Sequence, residues 1–238
     1  MANRTAFRRF AAPALAATLF ALASAPVLAV KPFNAKYHAN YMGMQASGTM
    51  TLAAAGPGRW KYSLDVNGMG AQLVQSTVFE DHGGQWRPLS SEDSQQGTGG
   101  LAAMLVKKKS ITATYDWGSG QARWNGDIKP ERAGPVKLQS GDVDGMLLNL
   151  ALVRDLAAGK PLNYRLVEDG RVRPQQFKVA GKETVQVGGK PQQATKVVQG
   201  DGDRQLIAWV VDGLPVPARI LQRRDGRDHI DLRLQSFD

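Results

Sequence analysis

Residues 140–161 read SGDVDGMLLNLALVRDLAAGKP, and they are the one long stretch of helical periodicity in a sequence otherwise patterned as strands and turns. Apolar residues recur every three or four positions, which is the spacing of one face of a helix. Other apolar residues widen this stripe until little of the surface is left for water. The apolar set is Val143, Met146, Leu147, Leu148, Leu150, Ala151, Leu152 and Val153. The pattern predicts a largely buried helix.

Both ends of this helix have recognisable signals. Asp142 or Ser140 can accept a hydrogen bond from one of the first backbone N–H groups, which have no partner within the helix. Gly159, followed by Pro161, cannot continue the helix at the other end. We therefore expect the helix to begin near residue 142 and to end before Gly159.

The residues that precede the helix alternate between apolar and polar side chains. In residues 33–41 every odd position is apolar or aromatic, and residues 45–54 and 60–67 repeat the pattern after short glycine turns. Such alternation is typical of strands with one buried and one wet face. The pattern predicts an antiparallel meander. Pro88 lies in a mostly polar segment, so we expect an edge strand there.

The alternation continues on both sides of the helix to the end of the chain. Residues 206–211 are apolar on both faces and predict a central strand. Roughly a dozen strands are too many for a flat open sheet. The predicted fold is therefore mainly β, a strongly curved antiparallel sheet or incomplete β-barrel with one long helix on its concave side.

The first 29 residues have the order of a secretory signal peptide. Arg4, Arg8 and Arg9 precede an apolar run at residues 10–22, and small residues follow up to Ala29. The run is too short to remain as a membrane span. We predict cleavage after Ala29 and a single exported domain over residues 30–238. The export route stays open.

Composition narrows the class of protein further. The chain has no cysteine, which excludes disulfides, thiolate metal sites and the lipidated cysteine of a bacterial lipoprotein. Its net charge is +9, and removal of the three leader arginines leaves +6. We therefore predict a basic periplasmic protein that is not a lipoprotein and keeps no transmembrane segment. Its charge indicates solubility, or an anionic lipid surface or envelope protein as partner, and we expect no nucleic acid.

Motifs for catalysis are missing from the sequence. No Gly-x-Ser-x-Gly nucleophile elbow, phosphate loop or dinucleotide fingerprint occurs. His38, His82 and His229 lie on different segments, and acidic pairs such as Glu168-Asp169 stand at turns, where acidic residues are common. We therefore predict no catalytic residues, no metal ligands and no cofactor.

A set of apolar and aromatic side chains is predicted to face the helix. In the binding hypothesis they line a pocket for a lipid or another apolar small molecule. Residues 97–109 form a glycine-rich lid in this hypothesis, and Lys107, Lys108 and Lys109 meet an anionic headgroup. The predicted ligand-binding residues are Tyr37, Tyr41, Met50, Leu52, Trp60, Tyr62, Tyr115, Trp117, Trp124, Met146 and Leu150. In the alternative hypothesis these residues are simply core.

The mature chain resembles a known family along essentially its whole length. The resemblance rests on YHANYMGMQASGTMTL, FEDHGGQWRPL, TATYDWGSGQARW, the Asp-led helix, VGGKPQQATKV and AWVVDGLPVPARILQRRDG followed by IDLRL. These stretches look like the bacterial exported-protein family called domain of unknown function 3108. The resemblance implies an exported β protein without established activity, and it supplies no catalytic residues. The general shape is similar to that of the periplasmic lipoprotein carriers, an analogy of architecture only.

Three functions remain open at this point. The first is binding of a lipid or other apolar ligand in the concavity of the sheet. The second is a non-catalytic envelope assembly or protein-interaction factor with a fully packed core. The third is a hydrolase acting on envelope material.

Overall fold

The computed structural model describes residues 31–41, 43–68, 70–99 and 106–238, and the predicted signal peptide lies outside these ranges. The described residues form fifteen strands, one α-helix, α1, and a short 3₁₀ helix at Pro130–Arg132. The strands are β1 (Phe33–Tyr41), β2 (Met44–Ala54), β3 (Arg59–Gly68), β4 (Ala71–His82), β5 (Gln85–Gly97), β6 (Lys109–Asp116), β7 (Gln121–Gly126), β8 (Val136–Lys137), β9 (Asp142–Val143), β10 (Asn163–Glu168), β11 (Arg171–Val187), β12 (Lys190–Asp201), β13 (Arg204–Val211), β14 (Arg219–Arg224) and β15 (Arg227–Phe237); α1 is Gly145–Ala157.

All fifteen strands belong to one sheet, in the order β8-β7-β6-β5-β4-β3-β2-β1-β15-β14-β13-β12-β11-β10-β9. Neighbours are antiparallel except β9 and β10, which α1 connects in parallel. Short turns explain why consecutive strands pair. Gly83 and Gly84, between β4 and β5, have φ angles of 65° and 82°, which only glycine adopts easily. The predicted meander of β1, β2 and β3 is confirmed.

β5 is an internal strand, so the prediction of an edge strand around Pro88 is wrong. Pro88 lies opposite Phe79 at a register shift between β4 and β5. A proline has no N–H to give to a ladder, and a bulge is one of the few internal positions where this loss is tolerated. The proline therefore marks an irregularity of the ladder and not the border of the sheet.

The first and last strands join the two halves of the sheet. β1 pairs with β15 along most of its length, with Tyr37 opposite Leu234 and Ala39 opposite Leu232. We call this pairing the ladder joint. It places the beginning and the end of the described chain side by side in the middle of the sheet.

The two ends of the sheet meet through side chains instead of a backbone ladder. Tyr115 Oη of β6 donates to the Val167 carbonyl of β10 at 3.0 Å. Arg165 Nη2 of β10 donates to the Lys137 carbonyl of β8 at 3.1 Å. We call this contact between the ends the seam. Because no strand ladder among the described residues closes it, the sheet is open, which agrees with the predicted strongly curved sheet or incomplete barrel.

The helix is shorter than predicted, and its N-cap is a different residue. Asp144 Oδ1 accepts from the N–H of Leu147 at 2.8 Å, so Asp144 caps α1. The predicted caps, Asp142 and Ser140, lie outside the helix, and Asp142 belongs to β9. The helix ends before Gly159, as expected, and Gly159 has a φ of 63°. The sequence pattern placed the apolar stripe correctly but did not distinguish between nearby acidic caps.

The helix lies on the concave side of the sheet, as predicted. Leu147 and Leu152 are 0% and 1% exposed. They share one hydrophobic cluster with Tyr62 of β3, Val197 of β12 and Leu234 of β15, which are side chains from both halves of the sheet. The sheet therefore wraps around α1, which is buried on most of its circumference.

The central strand β13 is buried on both faces, as its continuous apolar run predicted. Ala208 belongs to the cluster around α1, whereas Ile207 and Trp209 belong to a separate cluster on the opposite face. The tip of the β11–β12 hairpin approaches β15, because an added Cβ at Gly188 would lie 3.0 Å from the Gln235 carbonyl. The face of β13 that points away from α1 therefore packs in a small hydrophobic core of its own.

Candidate functional site

Most side chains of the predicted binding site do surround the helix. Tyr37, Met50, Leu52, Tyr62, Met146 and Leu150 are all buried in the cluster around α1, and Trp60 packs against it at its border. Their inward orientation follows from the alternation of β1, β2 and β3, because every second side chain of a strand points to the same face. These strand residues and the apolar stripe of the helix therefore belong to one buried cluster.

Three of the predicted residues lie elsewhere in the interior. Tyr115 and Trp124 are buried in a second cluster with Val167, and Trp117 packs against that cluster. The rings of Tyr115 and Trp124 meet edge to face with centroids 6.1 Å apart. The prediction of a single aromatic constellation facing the helix is therefore wrong for these residues. These residues pack next to the seam. They lie on β6 and β7, which are far in strand order from β1 and the other strands that contact the helix.

Tyr41 does not face the interior, which corrects its predicted place in the site. It is 44% exposed and packs against His229, with ring centroids 5.0 Å apart. Tyr41 is the last residue of β1, where the strand leaves the part of the sheet that covers α1. Strand alternation alone could not indicate at which residue the strand stops packing against α1.

The hydroxyls of Tyr37 and Tyr62 have partners within the protein. Tyr37 Oη donates to the Pro217 carbonyl at 2.8 Å, and Tyr62 Oη lies 3.0 Å from Met50 Sδ. Burial raises the pKa of both phenols well above the ordinary value. Their hydrogen-bonding needs are therefore met without a ligand or a water molecule.

Two hollows of the described surface lie on the polar outer face of the sheet. The first has a volume of about 240 Å³ and is lined by residues such as Lys36, His38 and Thr49. The second has a volume of about 280 Å³ and is lined by hydroxyl-bearing residues such as Ser90 and Thr114. Neither hollow borders Met146 or Leu150, the residues beside which an apolar ligand was predicted.

The three lysines of the predicted lid have different surroundings. Lys107 and Lys108 are exposed, whereas Lys109 begins β6 and its Nζ lies 2.8 Å from Asp93 Oδ2. Residues 97–99 and 106–109 of the lid are described, and residues 100–105 lie outside the described part of the chain. Only two of the three ammonium groups thus face solvent as the headgroup hypothesis requires.

Two carboxyl groups at the start of the helix were not singled out from the sequence. Asp144 is 2% exposed, and its Oδ2 has no hydrogen-bond partner among the described residues. Burial raises the pKa of Asp144 to about 6, although the cap bond from Leu147 N–H opposes the shift. Glu168, at the end of β10, stands over Gly145, where any side chain would collide with its carboxylate.

Glu168 titrates in the same region as Asp144. Burial, together with the negative charges of Asp169 and Asp144, raises the pKa of Glu168 to about 7, while Arg173 lowers it. Arg173 Nη2 lies 2.7 Å from Glu168 Oε2. From the sequence alone, the acidic pair Glu168-Asp169 is expected to be ordinary turn residues. The sequence offers only a short signal here, because Leu166 and Val167 are the two apolar residues directly before Glu168.

No metal site or membrane helix is found in the part of the chain that the structure describes. His38, His82 and His229 do not take part in any group of three or more metal-ligating side chains there. None of the helices among these residues is long and apolar enough to cross a membrane.

Comparisons with known proteins identify the family of the chain. The similar solved structures include three that each match 87% of this chain. A β-barrel-like protein of domain of unknown function 1849 from Brucella abortus has a TM-score of 0.44 and 15% identity, with 97% of its length covered. A chain of the Pseudomonas aeruginosa MucA/MucB complex has a TM-score of 0.40 and 11% identity. The crystal structure of MucB has a TM-score of 0.37 and 12% identity.

The chain spans about half the length of the last two structures, covering 51% and 52% of them. No curated protein matches the sequence. The family model described as protein of unknown function DUF3108 matches residues 36–231, which is most of the chain and includes α1, the seam and part of the ladder joint. The chain therefore belongs to the DUF3108 family.

Proposed function

We propose that this protein is an exported, non-catalytic interaction factor of the cell envelope, which binds a partner with its outer surface and uses its interior for stability. The observation that carries this proposal is that α1 fills the concave side of the sheet. Leu147, Leu150 and Leu152 are 0%, 3% and 1% exposed and contact strands of both halves. The charged, apolar and small-residue order of residues 1–29 supports export.

The hollows described above give no support to binding of an acyl chain in the interior. Pockets for small ligands typically enclose about 300–1,000 Å³ and have apolar walls. The two hollows measure about 240 and 280 Å³, and polar side chains line most of their walls. An apolar ligand would therefore have to displace side chains of α1. The packed-core hypothesis needs no such rearrangement.

Native mass spectrometry of the protein recovered from its own compartment tests this proposal. We expect one mass, that of the processed chain, and no uptake of a fluorescent fatty acid. A co-purifying adduct that organic solvent removes would overturn the proposal in favour of the lipid-binding hypothesis.

A matched variant makes the negative result informative. Leu150→Ala removes a buried side chain from α1 and should leave an apolar cavity, because cores relax only partly around such a deletion. Cavities of this kind stay dry and take up small apolar molecules. The variant should therefore bind a benzene-sized probe in the same spectrometer, while the unmodified protein should not.

A further inference from the structure

One row of outward-facing side chains crosses the outer face of the sheet at right angles to the strands. Each member is the register partner of the next, from β12 through β13, β14, β15 and β1 to β2. Neighbouring strands are about 4.8 Å apart, so the row is roughly 24 Å long. Its members are Lys196, Trp209, Arg219, Arg233, His38 and Ser47. We call this set the cross-strand row.

The centre of the row holds two like charges directly opposite each other. Such pairs destabilise a sheet unless another group compensates them. Asp231 lies between Arg219 and Arg233, 2.8 Å from Arg219 Nε and 2.7 Å from Arg233 Nη2. Burial opposes ionisation of Asp231, but hydrogen bonds from both guanidinium groups outweigh it and lower its pKa. One carboxylate thus serves two guanidinium groups, and a surplus positive charge remains.

Trp209 holds the cationic end of the row in place. Its ring lies under Arg219, with the guanidinium carbon 4.5 Å from the ring centroid, and under Lys196 Nζ at 5.4 Å. Its Nε1 donates to Glu183 Oε2 at 2.7 Å, and Glu183 Oε1 lies 2.8 Å from Lys196 Nζ, so the charge of Lys196 is paired within the protein. Trp209 is 3% exposed, so it offers no platform on which a sugar ring could stack. The row therefore presents positioned charges and hydrogen-bond donors.

The charge of the row changes along its length. Beyond Ser47 the register continues to Asn67 of β3 and Gln72 of β4, which are uncharged. Both amides donate to Asp65, Asn67 Nδ2 at 2.5 Å and Gln72 Nε2 at 3.1 Å. The accessible positive charge of the row is thus concentrated over Arg219 and Arg233, so an extended ligand fits the row best when its acidic groups lie there. A polypeptide can change its charge from residue to residue.

We propose that the cross-strand row binds an extended segment of a partner protein that is acidic over Arg219 and Arg233 and uncharged over Ser47 and Asn67. The hollow beside Lys36 and Ser47, of about 240 Å³, has room for a side chain of this segment. Arg233 supplies the accessible charge, since its side chain is 56% exposed. This inference rests on the proposed function, because it names the partner that the outer surface would bind.

Fluorescence anisotropy with designed peptides tests the inference on the full mature chain. A peptide of about eight residues spans the row at roughly 3.3 Å per residue. The probe is a peptide with four glutamates followed by four serines, compared with peptides in which all eight residues are glutamate or the four glutamates are replaced by lysine. We expect the half-acidic peptide to bind most tightly, with an affinity that falls as salt is added.

Two exposed arginines provide the matched variants. Arg233→Gln removes a charge from the row, and Arg223→Gln removes one from the far end of β14, where Arg223 pairs with Asp228 at 2.9 Å. Arg233→Gln should weaken peptide binding about tenfold, since charge-assisted hydrogen bonds are lost. Arg223→Gln should change it less than about twofold. Equal effects of the two variants, or tighter binding of the all-glutamate peptide, would overturn the inference.

Other partners are distinguished in the same assay. Binding of vesicles with anionic lipids, or of a carboxylated polysaccharide, that exceeds peptide binding and is lost in Arg233→Gln would show that the row serves a different class of partner. Absence of peptide binding overturns the inference but leaves the proposed function intact, because that function fails on a lipid adduct in native mass spectrometry.

Discussion

The two halves of the sheet meet at two places, and these junctions are built differently. At the ladder joint, β1 and β15 share a continuous backbone ladder, and side chains such as Leu234 point from it into the core around α1. At the seam, β8 and β9 have two residues each, and single side chains such as Tyr115 and Arg165 make the connection.

This difference determines how each junction can open. A backbone ladder joins many residues, so the ladder joint should break only when the whole domain unfolds. The seam depends on a few bonds, and the carboxyl groups of Asp144 and Glu168, with raised pKa values, lie beside it. The seam should therefore open locally, with a free energy that depends on pH and on single side chains.

The largest expected effect follows from a deletion at the ladder joint. Leu234 is 0% exposed, and Leu234→Ala should lower the free energy of unfolding by about 4 kcal/mol, because it leaves a cavity in the main core. Urea denaturation measures the loss, and hydrogen exchange should show the same loss of protection at both junctions. Gln235→Ala, at the exposed next position, should change stability by less than about 0.5 kcal/mol. A loss confined to β1 and β15 would contradict the view that this joint opens only globally.

A slightly smaller effect is expected at the seam. Asp142 is 0% exposed and its Oδ1 accepts from Arg165 Nη1 at 2.6 Å. Asp142→Asn removes the charge that pairs with Arg165 and should cost about 3 kcal/mol. In hydrogen exchange, β9 and β10 should lose protection before β1 and β15 do. Equal loss at both junctions would indicate that the seam is not a separate opening unit.

The seam should also weaken as the pH rises. The pKa of Asp144 is raised by folding, so the folded protein holds this proton more tightly than the unfolded chain does. Its contribution to stability is complete below about pH 4 and is lost as the pH rises through about 6. Glu168 extends the window toward pH 7. Asp231 and Glu183 have lowered pKa values, so their contributions to stability are lost only at a pH below this window.

Asp144→Asn tests this dependence while keeping an N-cap. From pH 4.5 to 7.5 the unmodified protein should lose about 2 kcal/mol of stability through Asp144, and the variant should lack this loss. Urea denaturation across the pH range measures it. Glu168→Gln should remove the upper part of the remaining dependence. Parallel pH curves for the unmodified protein and Asp144→Asn would contradict the assignment.

The two strands of the ladder joint could be predicted from the sequence, although their pairing with each other could not, and the seam could be predicted to a smaller degree. Alternation in residues 33–41 placed Tyr37 in the core, and the stripe from Met146 to Leu150 placed α1 on the concave side. These are repeated local patterns, and repetition makes them robust. The seam depends on contacts such as that between Tyr115 and Val167, which are far apart in sequence and carry no local pattern.

The candidate site was predictable in the same uneven way. Burial of Met50, Leu52 and Tyr62 followed from periodicity, but whether they border a ligand or a helix depends on how completely α1 fills the sheet. Tyr41 was wrongly predicted to be buried, because alternation does not show at which residue a strand stops packing against the core. The cross-strand row could not be found at all, because it requires the register of six strands.

The smallest expected effect compares the two junctions with one chemical change. Tyr115→Phe and Tyr37→Phe each remove a buried hydroxyl that donates to a backbone carbonyl, Val167 at 3.0 Å across the seam and Pro217 at 2.8 Å beside the ladder joint. Each should cost about 1 kcal/mol, since a buried carbonyl loses its donor.

The amides that lose protection should nevertheless differ. Tyr115→Phe should increase exchange in β6 and β10 under native conditions, because the seam opens without the rest of the domain. Tyr37→Phe should increase exchange only by the global loss, uniformly over β1 and β15. Similar exchange patterns for the two variants would mean that a seam of single side chains is as cooperative as a ladder, and the difference between the junctions would then be one of appearance only.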